Sequence, residues 1–230
     1  MLTAFGRGIW LADGPAPVAV AGFRYPTRMA VIRLDDGGLF VWSPVALTDP
    51  LRAAIAAIGE VAHIVAPNTL HDLYIAAWKR DFPAARLHAL PALIARHKAI
   101  AFDAELSDTP APDWAGQIDQ VVVAGNAIAT ETVFFHRASG TALFTDLIQH
   151  FPKDWFTGWR ALVARLDLMT ADEPAVPRKF RVAFTNRRVA RAAIARVLAW
   201  PVKAVVMAHG APVTSDGAAF LVRAFRWLMR

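Results

Sequence analysis

Short apolar runs, bounded by Gly, Pro, Asn and Asp, dominate the first two thirds of the chain, and longer runs with helical spacing follow. Gly8–Ala12 reads as an opening strand followed by a Pro- and Gly-containing loop. Arg28–Leu34 and Leu39–Trp42 flank Asp35-Asp36-Gly37-Gly38, a turn sequence that predicts a β-hairpin. Thr48-Asp49-Pro50 opens a helix reaching about Ile58, with Asp49 expected as N-cap and Pro50 at the first helical position. Leu51, Ile55 and Ile58 give that helix one core-facing side. Val61–Ala66 reads as a buried strand, His71–Lys79 as a helix, Arg86–Leu90 as a strand and Pro91–His97 as a helix. Ile100–Gln117 is polar and Pro-rich, the signature of a surface excursion. Strands are expected at Ile118–Ala124, Glu131–His136, Thr141–Thr145 and Lys203–Ala208, and helices at Trp155–Leu168, Arg187–Trp200 and Ala218–Met229. Hairpins first and β–α alternation afterwards predict a layered α/β fold with helices covering a mixed sheet. No repeat or linker divides residues 1–230, which read as a single domain.

Composition narrows the function classes. Hydrophobic residues make up 56% of the chain. Its longest stretches without a charge, Gly37–Thr48 and Ala204–Ser215, are twelve residues each and contain Gly and Pro. A spanning helix needs about 20 apolar residues, so no membrane span is expected. The N-terminus lacks a basic region followed by an apolar run, and a cytoplasmic protein is the expectation. The absence of cysteine excludes disulfides and thiolate metal sites. The net charge of +6 is concentrated at residues 178–230, which hold eleven basic side chains against one acidic, Asp216. On a wheel, Arg187, Arg188, Arg191 and Arg196 cover one side of a helix whose other side carries Val189, Ile194, Val197 and Trp200. A solvated outer helix accounts for this face, since no nucleic-acid motif accompanies it. An anion- or nucleic-acid-binding face is the second alternative for function. Motifs for P-loop, dinucleotide and α/β-hydrolase chemistry are missing.

Four segments place polar residues just beyond predicted apolar strands: Asn68-Thr69-Leu70-His71-Asp72, Gly125-Asn126, Thr145-Asp146 and His209-Gly210. In α/β sheets, ligand sites collect at the carboxyl ends of strands, where loops converge. The succession of hairpin, strand–loop–helix, Leu143-Phe144-Thr145-Asp146 and Ala208-His209-Gly210 resembles the metallo-β-lactamase superfamily from about Trp10 to Pro212. That resemblance implies a four-layer αββα sandwich, mostly seen in metal-dependent hydrolases. Its first motif, HxHxDH, falls on Asn68–Leu73; only Asp72 matches, with Asn68, Leu70 and Leu73 replacing the histidines. A later family histidine falls at Asn126, the bridging aspartate at Asp146 and the last histidine at His209.

An ordinary dinuclear site is therefore broken by sequence. Adding the off-register His71 leaves His71, Asp72, Asp146 and His209 as candidate ligands for one divalent metal: zinc, manganese or iron. Asp72 is in addition the candidate catalytic base. Structural roles compete for each residue: Asp72 as a helix-dipole partner, Asp146 as a turn cap, His209 as a satisfied polar group near the core. The resulting expectation is a degenerate metal site that is non-catalytic or binds a small molecule, with a mononuclear hydrolase of an ester, amide or phosphoester as the alternative. The Trp155, Phe156 and Trp159 cluster reads as core packing, with a pocket wall or a homo-oligomer contact as alternatives. Ser43 carries no nucleophile motif, and His63 and His136 read as packing or surface residues within strands.

Overall fold

The computed structural model describes residues 1–230 as two β-sheets packed face to face, with helices on both outer faces. The first sheet opens with β1 (Leu2–Gly6), which the sequence pattern missed, and β2 (Ile9–Asp13). The expected hairpin follows as β3 (Arg28–Arg33) and β4 (Leu39–Trp42), paired antiparallel. Helix α1 (Asp49–Ala56) leads to β5 (Val61–Ala66), α2 (Ile75–Asp81) to β6 (Arg86–Ala89), and α3 (Pro91–Arg96) to the short β7 (Ala104–Glu105). Strands β4 to β7 run parallel, because each helix crosses over between neighbours. The cap of α1 is Thr48, whose hydroxyl accepts from Leu51 N, rather than Asp49.

The second sheet has the order β11-β10-β9-β8, built from β8 (Ile118–Val123), β9 (Glu131–His136), β10 (Thr141–His150) and β11 (Ala204–Gly210). Helices α4 (Trp159–Leu166), α5 (Arg178–Ala183), α6 (Arg187–Leu198) and α7 (Gly217–Met229) complete the chain. None of the seven helices is long and apolar enough to cross a membrane. Helix α5 was not evident from the sequence, and α4 begins four residues later than expected.

Period-two alternation sorts the side chains into three cores. In the hairpin, Val31 and Val41 point outward onto Leu51, Ile55, Ile75 and Trp78 of the first helical layer. Their neighbours Ala30, Ile32, Phe40 and Trp42 point inward and meet Phe134, Leu143 and Val206 between the sheets. Phe135, Phe144 and Val205 face the opposite way, onto Ile194, Val197, Leu221 and Phe225 of α6 and α7. Both faces of each sheet are covered, which is the αββα order that the family resemblance implied; the sequence pattern alone predicted one mixed sheet, and the structure has two. The Ile100–Gln117 excursion is not purely a surface segment: Trp114 is buried and packs edge-on against Phe40, His63 and His88.

Candidate metal centre and cavity

Strand β5 ends at Ala66, and the chain turns at Asn68, which is fully buried. Its side-chain oxygen accepts the backbone N–H groups of Leu70 and His71, at 2.7 and 2.9 Å, fixing the turn. Its amide nitrogen donates to Thr145 Oγ1 and Asp146 Oδ2, at 2.8 and 2.7 Å. Asn68 therefore works as a clamp between the β5 loop and β10. All four of its hydrogen-bonding positions are used.

Clamping this loop keeps it out of helical geometry: α2 begins only at Ile75, and His71 lies in the loop rather than in the first turn of a helix. His71 Nδ1 lies 2.8 Å from Ser43 Oγ, and its Nε2 stands 3.4 Å from Asp146 Oδ2. Ser43 follows β4 with a φ of 52°, a left-handed conformation that a non-glycine residue adopts at an energetic cost of about 1–3 kcal/mol. The bend ends the strand and turns the hydroxyl to the imidazole. Sequence reasoning missed this role, and the only available signal was a polar residue between an apolar strand and Pro44.

Asp146 was expected beyond the end of a strand but lies inside one. Across β10 and β11 the parallel register passes from Phe144↔Met207 to Gln149↔His209, so extra residues bulge from β10 between these pairs. A bulge re-aims side chains and leaves backbone groups unpaired. Here Glu131, buried at the start of β9, accepts from the N–H groups of Thr145, Asp146 and Leu147, at 2.7, 2.9 and 3.1 Å. Besides His71 and Asn68, the Asp146 carboxylate meets Gln149 Nε2 at 3.2 Å and His209 Nε2 at 3.4 Å, both on Oδ1. Burial pushes its carboxyl up, but hydrogen bonding and charge from His209 and His71 outweigh it and hold the group well below the usual carboxylate range.

His209 is delivered by β11. Its Nδ1 donates to the Pro26 carbonyl at 2.6 Å, and its ring lies against Tyr25 and Phe151. Gly210 follows with a φ of 144°, where a Cβ would overlap the His150 carbonyl, so only glycine passes there.

The resemblance to metal-dependent proteins can be tested on this donor set. His71, Asp146 and His209 each offer a ligand atom, all within 4.8 Å of one another. Tetrahedral donors about 2.1 Å from an ion stand roughly 3.4 Å apart; His71 stands at that separation from Oδ2 and His209 from Oδ1, so the carboxylate faces each ring with a different oxygen. A carbonyl only accepts, so His209 Nδ1 carries a proton; in a neutral ring Nε2 then points a lone pair at a carboxylate oxygen. That repulsion is relieved by a positive charge, either a second ring proton or a metal ion. The far side of each ring is fixed by an oxygen, the outer-shell arrangement of metal-ligating histidines. The residues fit a single ion.

Asp72, expected among the ligands and as a base, is not in this group. Its Oδ2 lies 2.7 Å from His97 Nε2 and 2.6 Å from Arg96 Nη2, at the end of α3. His71 enters the centre, whereas Asp72 is held away from it by Arg96 and His97. Asn126 does not join either: its amide donates to Phe180 O and accepts from Ile128 N, tying β8 to α5. Leu70 and Leu73 are exposed at the rim of a cavity of about 610 Å³ whose floor includes His71, Asp146 and His209. Phe23, Tyr25, Met169 and Phe180 line its walls. Phe156 is buried against Phe23 and Phe151, while Trp155 and Trp159 remain partly exposed.

Comparison with solved structures places this geometry. TMB-1 superposes with a TM-score of 0.69 at 11% identity, covering 100% of this chain and 98% of that one. FIM-1 from Pseudomonas aeruginosa, in its mono-zinc form, gives 0.64 at 12% identity over 100% and 96% of the two chains. A metallo-β-lactamase from Hirschia baltica gives 0.63 at 13% identity over 100% and 97%. At these identities the likeness shows the fold, that of the metallo-β-lactamases. No curated protein matches the chain by sequence. A family model described as a domain of unknown function, DUF4336, matches residues 8–173. The chain thus belongs to the DUF4336 family and carries it on a metallo-β-lactamase fold.

Proposed function

We propose that this protein holds one divalent metal ion, zinc, manganese or iron, at His71, Asp146 and His209, and uses it to bind a small molecule in the cavity above. Residues 1–230 act as one domain in this reading, since both sheets and the loops between them supply the centre. The observation that carries it is the convergence of two imidazoles and one buried carboxylate, each with its other polar atoms already fastened, on the floor of an open cavity. A bound ion would supply positive charge and Lewis acidity there. Ser43 and the Pro26 carbonyl orient the two rings, and Asn68 and Gln149 hold the carboxylate.

A binding role is favoured over hydrolysis by what surrounds the centre. A general base must reach the proton that it removes. Asp72 is engaged at α3, and the other carboxylate lining the cavity, Asp167, is paired with Lys179 at 3.2 Å. The Arg-rich face is also partly committed: Arg191 donates to the carbonyls of Leu228 and Arg230, and Arg196 pairs with Asp108.

Metal analysis of protein purified without chelator tests the reading. The expected result is stoichiometric divalent metal, lost on His209→Ala. Ser43→Ala, which removes only the oxygen behind His71, weakens metal affinity by about 10–100-fold. Absence of metal from the unsubstituted protein overturns the proposal. Turnover of an ester, amide or phosphoester that disappears with His209→Ala replaces the binding role with hydrolysis.

A further inference from the structure

The cavity separates polar from apolar surface along its depth. Hydrogen-bonding side chains gather at the floor, where Ser43, Gln149 and the three candidate ligands lie. The single cation in the lining, Lys179, is paired with Asp167 and donates to the Tyr25 hydroxyl at 3.1 Å, so the walls offer no free charge. Further out, Phe23, Met169 and Phe180 give way to Val20, Leu70, Leu73, Ile128 and Val163. These last five are 40% to 88% exposed, and they surround one opening instead of being scattered over the surface. Isolated exposed apolar residues need no explanation, but a concave group of them marks a binding site. The volume of about 610 Å³ falls within the range of about 300–1,000 Å³ usual for small-molecule sites.

We propose that the ligand is an amphiphile: an unbranched aliphatic chain along the apolar walls, with a carboxylate at the His71–Asp146–His209 centre. The apolar surface continues from the walls beside the polar floor to the exposed mouth, which suits an extended chain better than a compact ring. The head rests on the single-ion reading above, because a divalent ion leaves a net positive charge beside the one carboxylate of Asp146. Burying the tail supplies affinity in proportion to its length.

Calorimetric titration with straight-chain carboxylates from butyrate to dodecanoate tests this, with metal content measured on the same sample. Each added methylene should tighten Kd by about fourfold, equivalent to ~0.8 kcal/mol, until the cavity is filled. Val163→Asp, a change on the exposed side of α4, should flatten the series without lowering metal content. Stoichiometric metal with a Kd indifferent to chain length overturns the amphiphile and leaves the metal centre standing. The same flat series with concentration-dependent self-association also overturns it, and assigns the apolar mouth to a second copy of the chain. A sample without metal overturns the functional reading above and the headgroup anchor with it.

Discussion

Glu131→Ala lowers the free energy of unfolding by about 3–5 kcal/mol, measured by denaturant titration, although residue 131 is not among the candidate ligands. The bulge in β10 leaves the N–H groups of Thr145, Asp146 and Leu147 without strand partners in a region closed to water, and one carboxylate accepts all three. Truncation strands these donors, and each unsatisfied buried group costs about 1–3 kcal/mol before any relaxation. Glu131→Gln keeps one acceptor oxygen and turns an amide N–H₂ toward a donor, so its loss should be smaller but clear. Because the bulge aims Asp146, both variants should also weaken metal binding. A stability change below about 1 kcal/mol for Glu131→Ala would show that the bulge finds other acceptors, and would remove Glu131 as the support of the site.

Acid destabilisation is the second large effect, and it centres on histidines away from the site. His63 Nδ1 and His88 Nε2 share one hydrogen bond at 3.1 Å, and Trp114 packs against both rings. Burial holds His88 down to about 4, with the neighbouring His63 adding to it; burial likewise lowers His63 and brings His136 to about 4. A histidine whose folded value lies below its unfolded 6.5 takes up more protons in the unfolded chain. Stability from these groups is therefore complete above pH 6.5 and is lost as pH falls from 6.5 toward 4. For His88 alone, the difference between 6.5 and about 4 corresponds to roughly 3 kcal/mol.

Glu131 acts in the opposite sense. Burial, helped by the charge of Asp146, raises it to about 7, so it gains stability as pH falls from 7 toward 4.5 and offsets part of the loss. The net expectation is a Tm that declines across this window, with a shallower decline in His88→Gln. An unchanged slope in that variant would show that the pair opens to water before it titrates.

The hairpin, the buried strand Val61–Ala66 and the C-terminal helices were legible because each pattern is local. Turn residues at Asp35–Gly38 specify a hairpin, and alternating or helically spaced apolar positions specify which face is buried. Boundaries went wrong where tertiary contacts override local preference. His71–Lys79 has helical spacing, yet Asn68 ties up its first residues and delays the helix to Ile75. Thr141–Thr145 looks complete as a strand, yet pairing with β11 extends it to His150.

The candidate site divides along the same line. His71, Asp146 and His209 could be singled out as polar residues near the ends of apolar runs, and the structure brings their side chains together. Asp72 satisfied the same criterion and faces away, because His97 and Arg96 hold its carboxylate. Sequence by itself determined the residue types available to the centre and which side of each local strand and helix is buried. Only the tertiary structure decided which ligand candidates meet, and it recruited Ser43, Asn68 and Glu131 to hold them. Those three act through hydrogen bonds between residues 28 to 78 positions apart for Ser43 and Asn68, and through a backbone bulge for Glu131, and neither leaves a period in the sequence.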